Sequence, residues 1–127
     1  MSAPATILVV DDDREIRESI VDALEDRGHH VVPACDGQDA LEFLQDDRLA
    51  LPHLILLDLT MPRLDGIQFG AAVAKVARWS MIPIVVLSGD EEIRMKAKAC
   101  GAVAYVKKPL KLRDLYSAVS HALEGRT

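Results

Sequence analysis

Thr6-Ile-Leu-Val-Val10 runs straight into Asp11-Asp12-Asp13. A β-branched run with no polar interruption suits a strand buried on both faces, as strands of a parallel sheet are. A helix should follow from about Arg14, capped by Asp13, with Ile16, Ile20, Val21 and Leu24 as its inward stripe. Gly28 is a natural stop, because a glycine takes up the left-handed residue that ends many helices. The opening of the chain thus reads as one strand–helix unit with an acidic hinge.

The same unit recurs along the chain. His30 to Ala34 is a weaker strand carrying Pro33, which cannot donate to a ladder and so places this strand at an edge. Asp36-Gly37 turns into a helix bearing Ala40, Leu41 and Leu44. Leu54 to Leu57 is a third strand, apolar on both faces and therefore central, and a helix from about Gly66 offers Phe69, Val73 and Val76. Ile84 to Leu87 follows as a fourth strand. A short, weakly amphipathic helix with Ile93, Ala97 and Cys100 then ends at Gly101. Val103 to Val106 is a fifth strand, and Leu112, Leu115, Tyr116, Val119 and Leu123 stripe a closing helix. Five βα units in succession predict an α/β fold, a doubly wound parallel sheet with helices on both faces. Right-handed crossovers and an outermost second strand favour the flavodoxin-like order 2-1-3-4-5.

Composition agrees with one globular domain. The 127 residues are 50% hydrophobic and 28% charged, so a disordered polar chain is excluded. Only five residues are aromatic, which leaves the core to aliphatic side chains. Fifteen basic residues against twenty acidic ones leave a net charge of −5, too few cations overall to suit nucleic acid as a direct partner. The longest stretch free of formal charge, Trp79 to Gly89, is eleven residues, too short to span a bilayer. No basic-then-apolar leader opens the chain. The two cysteines, Cys35 and Cys100, are no disulfide framework, and none of the four histidines has metal-ligand spacing. Trp79 reads as packing. A soluble, cytoplasmic protein is the expectation.

In such sheets ligands bind beyond the carboxyl ends of the strands, at the point where strand order reverses. Strand 1 ends on Asp11 and Asp12, strand 3 on Asp58, strand 4 on Ser88, and strand 5 on Lys107-Lys108-Pro109. Were strands 1 and 3 neighbours, three carboxylates would crowd one rim, where they must either protonate or share a cation. All-oxygen ligation suits a hard ion, Mg²⁺ being the physiological choice. Each residue alone has a plainer reading: aspartates cap helices, as Asp13 does; Ser88 could cap a helix; Lys108 could be a solvated charge. Their convergence on one crevice is what points to chemistry.

Ile7-Leu-Val-Val-Asp-Asp12, Leu57-Asp-Leu-Thr-Met-Pro-Arg-Leu-Asp-Gly66, Val85-Val-Leu-Ser88 and Gly101-Ala-Val-Ala-Tyr-Val-Lys-Lys-Pro109, in that order, resemble the receiver domain of two-component response regulators. The resemblance covers essentially the whole length and implies self-catalysed phosphoryl transfer from a phosphohistidine of a sensor kinase. Asp58 matches the phosphoacceptor. Asp11 and Asp12 match the acidic pair that holds Mg²⁺, completed by Asp58 and the backbone carbonyl of Thr60. Lys108 matches the cation that pairs with a phosphoryl oxygen, and Ser88 the hydroxyl that bonds another. Ser88 and Tyr105 match a hydroxyl and aromatic pair that move together, a bistable element biased by charge. The plain alternative for Tyr105 is a ring packed on an edge strand. Thr60 and Asp90 match positions that tune the lifetime of the phosphoryl group, and Lys108-Pro109 matches a cis bond.

The resemblance implies a readout surface of the fourth helix, fifth strand and fifth helix, with Lys107 on it. From Ser88 to Tyr105 the interval is 17 positions, shorter than receivers commonly show, so a short fourth helix is expected. Implied partners are a sensor histidine kinase or phosphotransfer protein and a downstream effector protein or domain, without nucleic-acid contact or membrane insertion; a homodimer is left open. The chain reads as a single receiver domain, residues 1–127 with a core of about 5–124. No room remains after about Glu124 for an output domain, so a stand-alone, chemotaxis-receiver-like protein or a domain excised from a longer regulator is expected. Two rival readings differ in class. A phosphatase of the haloacid dehalogenase type would use Asp11-Asp12-Asp13 as its Asp-x-Asp core, but Glu15 stands where that family wants Thr or Val. A receiver-like scaffold that is never phosphorylated would not need Asp11, Asp12, Asp58, Ser88 and Lys108 together.

Overall fold

A computed structural model describes residues 4–59 and 66–124. Its elements alternate: β1 (Thr6–Val10), α1 (Arg14–Asp26), β2 (His30–Ala34), α2 (Gly37–Gln45), β3 (Leu54–Asp58), α3 (Gly66–Ala74), β4 (Ile84–Ser88), α4 (Ile93–Ala99), β5 (Ala104–Lys107) and α5 (Leu112–Leu123). All strand pairs are parallel, and the sheet order is β2-β1-β3-β4-β5, as the apolar runs and Pro33 predict. Pro33 sits exposed on the edge strand β2, where its missing N–H costs no ladder bond.

Strand periodicity sorts the core into two layers. Ile7 and Val9 of β1, Leu54 and Leu56 of β3, and Val85 and Leu87 of β4 face α1 and α5, meeting Ile20, Leu24, Leu115, Val119 and Leu123. The alternate residues Leu8, Val10, Ile55, Leu57 and Val86 face α2, α3 and α4, meeting Ala40, Leu44, Phe69, Val73, Ile93 and Ala97. Both faces of β1, β3 and β4 are therefore dry, which explains why these runs never alternate with polar residues.

Helix starts follow local chemistry. The Asp13 carboxylate accepts from the Ile16 N–H at 3.1 Å and caps α1, and Asp36, itself buried, caps α2 through the Asp39 N–H at 2.8 Å. Gly28 takes a φ of +88°, the left-handed turn that ends α1. Three expectations shift. β5 begins at Ala104 rather than Val103, whose N–H still bonds the Ile84 carbonyl from outside the strand. Leu112 does not join the inward stripe of α5: it is 57% exposed, and packing begins one turn later at Leu115. α3 stops at Ala74, short of Val76, and the turns that follow carry Trp79 and Ile82 into the core, so Trp79 is packing as expected.

α4 has seven residues and is the shortest helix among the described residues, in line with the short Ser88–Tyr105 interval. Glycines of α3 let the end of α4 approach on one side and the residue after β3 on the other. A Cβ at Gly70 would stand 3.0 Å from the Cys100 carbonyl oxygen, and one at Gly66 would stand 2.7 Å from Leu59 Cδ2 and 2.8 Å from Leu59 Cα. Backbone cannot yield as a side-chain tip can. Gly66→Ala should therefore destabilise the fold by about 1–3 kcal/mol, as overpacking does, read as a lower urea midpoint with unchanged slope.

Candidate functional site

The register of the sheet builds the site. Val10 pairs with Leu57, so the next residues, Asp11 and Asp58, leave adjacent strands side by side on the α1/α5 face. Asp11 is fully buried and Asp58 is 5% exposed. Asp12, one residue on, is exposed. A carboxylate oxygen from each of Asp11, Asp12 and Asp58 lies within 4.8 Å of the others. Sequence reasoning placed these three together from strand order alone, and the structure brings them together.

Buried carboxylates this close need a cation. Lys108 provides one from the end of β5: its Nζ stands 3.1 Å from Asp11 Oδ2 and 3.4 Å from Asp58 Oδ1. Burial is the largest influence on that ammonium and pulls its pKa down. The hydrogen bond to Asp11 and the charges of Asp58 and Asp11 outweigh it together, holding the group above the ordinary lysine value. The Lys108 N–H also bonds the Ser88 carbonyl at 2.8 Å, which ties the lysine to the end of β4, and the Lys108-Pro109 bond is cis, as expected. Asp11 is held in turn: its Oδ1 accepts from the Asp13 N–H at 2.9 Å, and its carbonyl accepts from Arg17 at 2.8 Å.

Asp58 opens into a cleft of about 500 Å³ lined by Asp12, Asp13, Ile16, Ser88, Gly89, Asp90 and Lys108. The buried Ser88 hydroxyl accepts from the Asp90 N–H at 3.0 Å, so its own proton remains to be donated toward the cleft. Asp90 then braces the turn that leads into α4: its Oδ1 accepts from the Glu92 N–H at 2.7 Å, its carbonyl accepts from the Ile93 N–H, and its Oδ2 pairs with Lys96. Tyr105 is 45% exposed on the edge strand β5, outside the cleft. Thr60 lies outside the described residues, as do Met61 to Asp65.

Among the described residues the donor set is all oxygen, with no imidazole or thiolate in the group, and that chemistry fits a hard divalent cation. Two contributors were not read from sequence. Arg17 braces the Asp11 carbonyl from six residues away, and Lys96 pairs with Asp90 from the same separation. Neither spacing is an i,i+3 or i,i+4 relation, so no helical rule signals either.

A family model described as the response regulator receiver domain matches residues 7–120. The response regulator MprA of Mycolicibacterium vanbaalenii is 36% identical over 126 residues, 98% of this chain and 52% of that protein. The transcriptional regulatory protein PdtaR of Mycobacterium tuberculosis is 34% identical over 125 residues, 96% of this chain and 58% of that protein. The chain thus spans about half the length of the curated relatives it matches. Among solved structures, the chemotaxis response regulator CheY4 of Vibrio cholerae superposes with a TM-score of 0.86 at 31% identity, covering 95% of this chain and all of that one. The receiver domain of NtrX from Brucella abortus gives 0.82 at 34% identity, covering 93% and 98%.

Asp12 and Asp13 are both exposed, and only Asp12 shares the triangle of oxygens. If this triangle of oxygens holds Mg²⁺, Asp12→Ala should weaken its binding by about tenfold, one charged oxygen being lost. Asp13→Ala should leave it nearly unchanged while lowering stability by about 1 kcal/mol through the lost cap. Calorimetric titration and thermal unfolding separate the two effects.

Proposed function

Because this chain belongs to the response regulator receiver domain family, we propose that it is a phosphoacceptor switch in which Asp58 takes a phosphoryl group from a sensor histidine kinase or phosphotransfer protein. The observation that carries this reading is the buried Asp58 carboxylate, open to a cleft, with Asp11 and Asp12 within 4.8 Å and the Lys108 ammonium 3.4 Å away. A carboxylate oxygen of Asp58 attacks phosphorus. The bond from phosphorus to the donor's imidazole nitrogen breaks, and its electron pair stays with the histidine. Asp11, Asp12, Asp58 and the Thr60 carbonyl would hold Mg²⁺, which supplies charge neutralisation at the phosphoryl oxygens.

The chain's own groups do the rest. Lys108, 3.4 Å from Asp58 Oδ1, offsets its negative charge and can turn one ammonium proton to a phosphoryl oxygen. Ser88 has a hydroxyl proton to give another. Its movement toward the new charge would let the Tyr105 ring turn inward, coupling the site to the α4–β5–α5 surface. Within residues 1–127, with a core of about 5–124, the chemistry is self-catalysed transfer and slow autodephosphorylation rather than turnover of an external substrate. Thr60 and Asp90 tune the second step. A cytoplasmic setting fits this role, and no helix among the described residues is long and apolar enough to cross a membrane.

The same surface carries a charge pattern that bears on the downstream effector. Residues 93–113 hold seven basic residues and no acidic one, whereas the rest of the chain holds eight basic residues and all twenty acidic ones. Lys108 faces the cleft and Lys96 pairs with Asp90. Arg94, Lys98, Lys107, Lys111 and Arg113 are exposed and form no ion pair with a described residue. Exposed Met95, Val103, Tyr105 and Leu112 lie in the same stretch. Such a face suits a protein partner with acidic and apolar side chains.

Acetyl phosphate with Mg²⁺ should label the chain at one phosphoryl group, and Asp58→Asn should abolish the label; stoichiometric labelling of that variant would refute the assignment. Beryllium fluoride with Mg²⁺ should raise the unfolding temperature of the parent, and the absence of any shift would favour the unphosphorylated scaffold. Double reversal at Lys107 and Arg113 to glutamate should reduce effector binding at low salt by about tenfold or more, with little effect on labelling.

A further inference from the structure

We propose that Lys96 is a positioning residue for loss of the phosphoryl group, holding the Asp90 carboxylate against α4 and so prolonging the signal. The inference rests on Asp58 being the phosphoacceptor. Asp90 lines the cleft together with Asp12 and Asp13, one residue past Gly89 and two past the switch hydroxyl of Ser88. Both of its carboxylate oxygens are drawn toward the helix: Oδ1 by the Glu92 N–H at 2.7 Å, Oδ2 by the Lys96 ammonium. Lys96 reaches back from the second turn of α4 to do this, and both side chains stay partly open, 38% and 37% exposed. The Lys96 hydrogen bond, helped by the Glu92 N–H, lowers the Asp90 pKa, so the group beside the cleft is a full carboxylate.

A carboxylate beside an aspartyl phosphate can serve as base for an incoming water. In that step the water oxygen bonds to phosphorus, and the bond from phosphorus to the Asp58 oxygen breaks, returning its electron pair to Asp58. The water proton passes to Asp90 and then to inorganic phosphate. Tethered to α4 through both oxygens, the carboxylate is not free to take that proton. Freed of Lys96, it keeps one anchor at Glu92 and can swing over the cleft. α4 also carries Met95, 72% exposed, on the surface offered to an effector. An acidic side chain that captured Lys96 would release Asp90 and shorten the phosphoryl lifetime.

The test follows decay of the radiolabelled phosphoryl group on the full chain, after labelling with acetyl phosphate and Mg²⁺ and removal of the donor. Lys96→Met should speed decay by about three- to tenfold, a small part of the roughly hundredfold or more that a fully positioned base contributes. Lys96→Arg should restore the parental rate, and in an Asp90→Asn background Lys96→Met should change nothing. Thermal unfolding of each variant identifies any that has lost its fold, and the rescue and the cancellation are readouts that a purely structural role would not produce. Unchanged or slower decay in folded Lys96→Met, or equal acceleration without the Asp90 carboxylate, would overturn the inference while leaving Asp58 as acceptor. A parent chain that takes no label would overturn the Asp58 assignment and this inference with it.

Discussion

Two aspartates leave neighbouring parallel strands at the same level, and one lysine from a third strand stands between them. That constraint organises the molecule. Buried carboxylates a few ångströms apart are tolerable only with a compensating cation, because the interior cannot solvate either charge. Lys108 meets both at 3.1 and 3.4 Å, from a position 97 residues past Asp11 and 50 past Asp58. The right order of strands is therefore a condition for the site's electrostatics. A slip of one residue in β3 against β1 would turn Asp58 to the other face of the sheet and strand Lys108 with half its partners.

The core is built so that this rim can stay polar. Two aliphatic layers on opposite faces of β1, β3 and β4 hold the strands rigid, with polarity confined to their carboxyl ends. Across the sheet, α4 is short and close: Gly70 admits the Cys100 backbone, and the Cys100 thiol lies 3.6 Å from the Gly66 carbonyl. Gly66 in turn rests on Leu59 and the Asp58 carbonyl. β3 and α4 are thereby in contact through α3, in addition to the Ser88–Asp90–Lys96 path along the β4–α4 loop. Charge follows the same division, with carboxylates at the rim and around most of the body and cations gathered from α4 to the start of α5.

Much of this was legible in order along the chain. The run Thr6–Val10 and its successors named the strands, because strands buried on both faces cannot hide among polar residues. Pro33 named an edge, and Asp13 and Gly28 marked both ends of α1. The 17-position interval from Ser88 to Tyr105 foretold a curtailed α4. Leu112 misled because periodicity reports which face a residue shares, not where along a helix the packing begins. The end of α3 was missed because Val76 continues a helical stripe whose chain is turned away by the burial of Trp79 and Ile82.

Taken by itself, the order of residues determined the element types, the parallel sheet and the identity of the acids, hydroxyl and lysine at strand ends, because each depends on local pattern and on what a strand or cap accepts. Tertiary structure alone decided which of those groups touch. Lys108 meets Asp11 and Asp58, Arg17 braces the Asp11 carbonyl and Lys96 takes Asp90, while Tyr105 stands exposed on the sheet's edge. The reason is physical: distances between side chains from separate strands and loops are set by register, crossover and packing of the whole sheet, and no spacing along the chain encodes them.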